Sequence, residues 1–260
     1  MNENRIYIIT PFYNRIHLFK KTYNSIIKQS FKNWQWVIID DYSSIIQNHK
    51  LNRLVCNNEG IIILKNNYSK GAGNARNFGL DYLIKNKNFP LILTFIDSDD
   101  EWHQSYLSNI YKKCTNDKTS IHVFSYMMKW ENSSKIRNVI LYGKGSYISN
   151  LLNYRLPCLS TSAYIQNPEL LKYCRFSSYL NVNDAIFFFK LAKKFNKIIY
   201  HKKILATYNV GKMDSLSSNK IKQIKYKLRS LNEIQAPKLI IIIAIMIYIF
   251  KGIRNYIIRL

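Results

Sequence analysis

Three carboxylates stand within four residues at Asp97-Ser98-Asp99-Asp100, directly after the apolar pair Phe95-Ile96. Carboxylates this close repel one another unless a cation neutralises them. Mn²⁺ or Mg²⁺ meets that need, because it takes one or two protein carboxylates and fills its shell with water and substrate phosphate. The competing reading is a solvated acidic turn or a helix N-cap. A second acidic pair, Asp40-Asp41, follows Ile38-Ile39. An Asp there can accept the ring N–H of a pyrimidine and so read a base, or it can cap a strand end. Gly71-Ala72-Gly73-Asn74-Ala75-Arg76-Asn77 precedes a helical stretch. Its backbone N–H groups can face an anion while Arg76 adds charge, although a plain Gly-rich turn has the same composition. It is neither a dinucleotide fingerprint, which follows the first strand as GxGxxG, nor a P-loop, which ends in GK[ST]. Finally, Asn183-Asp184 heads the apolar run Ala185 to Phe189. A carboxylate so placed can take a proton from an attacking hydroxyl, or cap the helix that follows.

These clusters need elements that bring them together. Arg5 to Thr10 is a β-branched run that Pro11 is expected to end, and Ile16 to Gln29 carries apolar residues at helical spacing. Strands are expected at Trp36 to Ile39, Ile61 to Leu64 and Leu91 to Ile96, with a helix at Ala75 to Ile84. Such alternation predicts an α/β fold with a largely parallel sheet and helices on both faces. Ligands of these sheets gather at the carboxyl ends of the strands. Thr10-Pro11, Asp40-Asp41 and Asp97 to Asp100 all stand there. Beyond about residue 118 the alternation becomes irregular, with strands expected at His122 to Met128 and Ser160 to Ile165, and a helix at Asp184 to Phe195.

The chain of 260 residues is long enough to bury a core, and 47% hydrophobic with 21% charged residues places it in the globular class. Its formal charge of +24 would attract nucleic acid, anionic lipid or an anionic small substrate without choosing among them. Lys, Asn and Ile are abundant throughout, so part of the excess is compositional. Cys56, Cys114, Cys158 and Cys174 form neither a CxxC pair nor a His-flanked cluster, which argues against a zinc knuckle or redox dithiol. No leader pattern precedes the first apolar run, so the catalytic part is expected in the cytoplasm.

Taken in order, the motifs resemble those of the family 2 glycosyltransferases. The match runs from Thr10-Pro11-Phe12-Tyr13-Asn14-Arg15 through Asp40-Asp41-Tyr42-Ser43, Gly71 to Gly79 and Asp97-Ser98-Asp99-Asp100 to Asn183-Asp184, and faintly to Ser215-Leu216-Ser217. The resemblance implies a GT-A fold, with a Rossmann-like mixed sheet. It also implies a nucleotide-sugar donor, usually a UDP-sugar, a bound Mn²⁺ or Mg²⁺, and inversion at the anomeric carbon. On the same basis Thr10, Pro11 and Tyr13 would border the nucleotide, Asp41 would read the base, and Arg76 would support the base or diphosphate. Asp97 would sit near the ribose and metal, Asp99 would bind the metal, and Asp184 would be the general base. Two positions depart from the family pattern: Tyr42 stands where Gly is common, and Asn183 where Glu is common.

The implied organisation is a catalytic domain over residues 1–218, with the nucleotide-sugar part at about 1–118 and the acceptor part at about 119–218, followed by a basic and apolar helical tail over 219–260. Leu239 to Phe250 is an apolar stretch of about 12 residues, roughly 18 Å as a helix, against the roughly 30 Å of a bilayer core. It is too short to span and suited to the interface, where Lys238, Lys251, Arg254 and Arg259 would favour anionic headgroups. A helix packed on the domain is the alternative. An enzyme at the inner membrane surface would meet a polyprenyl-diphosphate-linked saccharide acceptor, as in O-antigen or capsule assembly. The other class of reading, a basic nucleic-acid-binding or catalytically inactive scaffold protein, is disfavoured by the intact Asp97, Asp99 and Asp184 and by the lack of a nucleic-acid motif.

Overall fold

The computed structural model describes residues 5–257 apart from 87–91, 132, 154–159, 161, 166–167, 180–181 and 211–219. Ser215 to Ser217, Cys158, Arg259 and the expected boundary at residue 218 fall outside the described residues.

The early apolar runs form β1 (Ile6–Phe12), β2 (Trp34–Asp40), β3 (Ile61–Lys65) and β4 (Ile92–Phe95), which pair in parallel in the order β3-β2-β1-β4. Three helices connect them: α1 (Ile16–Ile27), α2 (Ile45–Val55) and α3 (Ala72–Lys85). The strands are apolar at nearly every position because both faces are covered. Ile6 and Ile8 turn toward Phe19 of α1, Leu51 of α2 and Trp36, while Tyr7 and Ile9 turn toward Leu80 and Leu83 of α3.

One boundary differs from expectation. β1 runs through Pro11 to Phe12 instead of stopping before the proline. The Phe12 carbonyl accepts from Asp41 N–H on the β2 side, so the neighbouring Pro11 nitrogen faces the opposite side. There β4 has already ended, its last partner of β1 being Phe95 opposite Ile9. No ladder hydrogen bond is lost by placing proline there.

The second half is more irregular. It comprises β5 (Glu101–Trp102), α4 (Tyr106–Asn116), β6 (Ile121–Trp130), β7 (Ile136–Val139), β8 (Gly143–Gly145), α5 (Tyr147–Asn153), β9 (Ser162–Ile165) and α6 (Pro168–Tyr173). After these come α7 (Asn183–Phe195), β10 (Ile198–Val210), α8 (Lys220–Glu233) and α9 (Lys238–Ile257). The sheet continues β4-β9-β6-β10-β5, with β9 antiparallel to both neighbours and β10 parallel to β6, so it is mixed. β10, at 13 residues the longest strand described, was not anticipated from the sequence.

The C-terminal helix joins features that the sequence presented as alternatives. Ala244 of α9 is buried, and Ile240 and Ile241 pack against the core. Leu239, Ile242, Met246, Ile249 and Phe250 recur at helical spacing and remain exposed. The helix thus packs by one face and presents an apolar stripe on the other. Among the described residues no helix is long and apolar enough to cross a membrane.

Candidate active site

β1, β2 and β4 end at a cleft of about 770 Å³ lined by Pro11, Tyr13, Asp41, Gly71, Arg76, Asp97 and Asp99 among others. The two acids at the end of β2 divide between the readings open to them. Asp40 caps the strand end, accepting from Ser43 N–H (3.1 Å) and Asn48 Nδ2 (2.7 Å). Asp41 lines the cleft: its Oδ1 accepts from Asn66 Nδ2 (2.7 Å) and its Oδ2 from Gly71 N–H (2.9 Å). Gly71 has φ +137°, a backbone region open to glycine and strained for other residues. Tyr42 takes φ +64° and anchors its hydroxyl on the Tyr68 carbonyl (2.7 Å). The left-handed backbone accounts for the glycine common at this position in the resembled family, and the phenol contact offsets part of its cost here.

The acidic motif after β4 is likewise divided among three settings. Asp97 pairs with the buried Arg76, whose guanidinium also donates to Asn183 Oδ1 (3.3 Å) and lies 5.2 Å from the Phe176 ring centroid. The Arg76 Nε is itself buried and has no hydrogen-bond partner among the described residues. Asp99 accepts from Arg15 Nη1 (2.9 Å), and burial, followed by the charge of Asp97, raises its carboxyl above the ordinary range. Asp100 is fully buried, accepting from Ser160 Oγ (2.5 Å) and Asn209 N–H (3.1 Å), and burial pushes its carboxyl well up. Asp100 therefore braces the turn from behind, while Asp97 and Asp99 face the cleft.

Asp184 opens α7 and accepts from Ala185 N–H (2.8 Å). As a residue it is exposed, yet protein surrounds its carboxylate closely enough that desolvation raises its pKa, against the opposing pull of Arg76. A carboxyl raised in this way holds a proton more readily than a free Asp, which suits a general base. The buried Asn183 beside it contacts Arg76 instead of adding the charge of a glutamate.

Two expected residues are not part of the cleft lining: Asp184, which feels the charges of Arg76 and Asp97 from beside it, and Thr10. Thr10 is wholly buried and its hydroxyl accepts from Trp36 Nε1 (2.9 Å), because strand alternation turns it to the same face as Ile6 and Ile8. It supports β2 and does not line the cleft. Several cleft residues had no role in the sequence reading. Arg15 neutralises Asp99, Lys70 stands 3.7 Å from the Tyr13 ring centroid and lowers that phenol's pKa, and Asn209 donates to the Asp99 carbonyl (2.6 Å). The signal for Lys70 was its place just before the Gly-rich turn. Asn209, at the end of β10, carried none.

The donor set fits a hard divalent cation. Asp97 and Asp99 present oxygen ligands to the cleft, and among the described residues no group of three His, Cys, Asp or Glu could hold a metal alone. A cation here would take one or two carboxylates and complete its shell with phosphate and water, the usual arrangement for Mg²⁺.

Comparison with known proteins agrees with this geometry. The chain is 27% identical over 257 residues, covering 98% of itself and 96% of the relative, to the UDP-Glc:alpha-D-GlcNAc-diphosphoundecaprenol beta-1,3-glucosyltransferase WfgD of Escherichia coli. Its fold matches crystal structures of S. aureus TarS 1-349 in complex with UDP-GlcNAc (TM-score 0.67, 18% identity, 90% of this chain and 67% of that one). It also matches the mannosyltransferase PcManGT of Pyrobaculum calidifontis in complex with GDP-Man and Mn²⁺ (TM-score 0.66, 16% identity, 90% and 65%). The family profile described as Glycosyl transferase family 2 matches residues 7–193, and with the GT-A architecture and the acids at the strand ends the chain belongs to that family of glycosyltransferases.

Proposed function

We propose that this glycosyltransferase moves a sugar from a UDP-sugar to a hydroxyl of a saccharide carried on polyprenyl diphosphate, with inversion, in cell-surface polysaccharide synthesis at the inner membrane face. The observation that carries the reading is the convergence of Asp41, Arg76, Asp97 and Asp99 on one cleft at the strand ends. The near full-length likeness to an undecaprenol-diphosphate-dependent glucosyltransferase supports the substrate classes.

In this reading Pro11 and Tyr13 border the nucleotide and Asp41 reads the base. The guanidinium of Arg76, held by Asp97 and Asn183, brings its positive charge to the cleft and so favours the diphosphate. Asp99, with Asp97, would hold Mn²⁺ or Mg²⁺, which when bound stabilises negative charge on the departing diphosphate. Asp184 takes the proton from the acceptor hydroxyl as that oxygen attacks the anomeric carbon opposite the leaving group. One displacement gives one inversion.

The test has a binding arm and a transfer arm. UDP is titrated into parent and Asp99→Ala protein, with Mn²⁺ and with EDTA, and transfer from a UDP-sugar panel to a lipid-linked saccharide is followed. Metal should tighten UDP binding in the parent and not in the variant, and the variant should show no transfer. Equal metal-dependent affinity in both proteins removes Asp99 from the metal site. A parent that transfers from no UDP-sugar overturns the donor assignment.

A further inference from the structure

The segment Phe176 to Tyr179, just before α7, has two sides. On one side it closes against the donor cleft: a Cβ placed on Gly73, in the first turn of α3, would lie 2.7 Å from the Ser177 carbonyl, and the Arg76 guanidinium lies over the Phe176 ring. On the other side it forms one wall of a separate open recess of about 870 Å³, whose opposite wall is α8. Among the described residues this segment thus touches α3 beside the donor cleft on one side and lines the recess on the other, and Asp184 follows it in the chain.

The recess is built for an anion with an apolar extension. Lys225 and Arg229 lie one turn apart on α8, both exposed, and neither forms an ion pair among the described residues. Arg229 is oriented by stacking over the Tyr179 ring, 4.4 Å from its centroid. Glu233, the acid in the lining, is already engaged by Ser177 Oγ (2.9 Å) and by Lys190 (3.9 Å). Leu228 and Tyr179 supply apolar surface beside the two cations. α8 leads directly into α9 with its exposed apolar stripe. A guanidinium and an ammonium side by side match a diphosphate, the first by its fork and the second as a mobile point charge.

We infer that this recess binds the diphosphate of the lipid-linked acceptor, with Lys225 and Arg229 as its ligands and Tyr179 and Leu228 against the first part of the prenyl chain. The assignment deepens the proposed reaction and rests on it for the acceptor class. The donor diphosphate keeps its own place beside Arg76, so the two diphosphates lie on opposite sides of one segment.

The experiment measures binding rather than turnover. Farnesyl diphosphate is titrated into the full-length chain with UDP saturating, which blocks the donor cleft, and then into a Lys225→Gln/Arg229→Gln variant. Both substitutions are on an exposed helical face, and circular dichroism verifies the fold. The Kd for farnesyl diphosphate should rise about tenfold or more in the variant, as for loss of charged hydrogen bonds, while the Kd for UDP stays unchanged. Unchanged farnesyl diphosphate affinity overturns the assignment. Inorganic pyrophosphate that binds as tightly as farnesyl diphosphate also overturns it, in favour of a free diphosphate site. A variant that loses only its sedimentation with phosphatidylglycerol vesicles would make these residues a membrane contact instead. Absent sugar transfer together with intact, Lys225- and Arg229-dependent farnesyl diphosphate binding would sink the proposed reaction and leave the recess standing.

Discussion

The two halves of the sheet solve different problems. In β3-β2-β1-β4 every pairing is parallel and in register, and buried polar links such as Thr10 with Trp36 and Asp41 with Asn66 hold adjacent elements together. In β9-β6-β10-β5 parallel and antiparallel pairings are mixed, and the pairing of β10 with β6 shifts register between His201 and Ile204 and again before Ala206. The regular half forms a cleft by geometry that any parallel α/β sheet provides. The irregular half bends a long strand so that Asn209 reaches back to Asp99 and Asp100. The cleft thus comes largely from the common part of the fold, and in the proposed reaction the parts that address a particular acceptor come from the part with few rules.

If that division holds, the largest separation of binding from chemistry should come from Asp184, which belongs to the second half. Asp184→Asn should lower kcat about 10²-fold or more and leave UDP affinity near that of the parent, since it removes a proton acceptor without altering shape. Turnover close to the parent at saturating acceptor would assign the base elsewhere.

Gly73 tests the joint between the halves. Gly73→Ala drives a methyl toward the Ser177 carbonyl and the Asn183 Cβ, 2.7 and 3.1 Å from the ideal Cβ position. Overpacking of this kind costs about 1–3 kcal/mol, so both the melting temperature and UDP affinity should fall. A change in neither would mean that the two halves can slide apart at this point.

The smallest effect is confined to the second half. His122 and His201 meet at 3.0 Å between β6 and β10, and burial, with the charge of His122 next, holds His201 down at about 4. The unfolded chain takes its proton near pH 6.5, so the His201 contribution is intact above that value and is lost as pH falls toward 4. At pH 5 the loss is on the order of 1–2 kcal/mol for one such group. The fall in melting temperature between pH 7 and pH 5 should shrink in His201→Gln. A variant with the same pH slope as the parent would place the sensitivity in other groups.

The legible parts of the sequence follow the same division. β1, β2 and β4 could be read because coverage on both faces demands unbroken apolar runs such as Ile6 to Ile9 and Trp36 to Ile39. β10 could not, because His201-Lys202-Lys203 interrupts its apolar pattern where the strand bulges. The cleft acids were visible as clusters at strand ends. Their division into lining residues and a buried brace was not, since it depends on Ser160 and Asn209, single polar residues about 60 and 110 positions away. Arg15 and Lys70 were hidden among 39 basic residues, where another cation carries little information. The C-terminal helix was read as either anchored or packed because composition does not reveal that one apolar helix can pack by one face and leave an apolar stripe exposed on the other.

The carboxylate of Asp41 ties the end of β2 to the turn before α3, through Asn66 on one oxygen and Gly71 on the other. In the proposed reading, the surfaces for the two ends of a nucleotide are consequently fastened to each other before any nucleotide arrives. Their relative position is fixed when the chain folds, so the ligand need not order that part of the cleft on entry, and little of its interaction energy is consumed by conformational restriction. A nucleoside that lacks the diphosphate should accordingly meet the same aperture as the whole donor, and the affinity gained from the missing half should reflect its own contacts rather than a rearrangement of the protein.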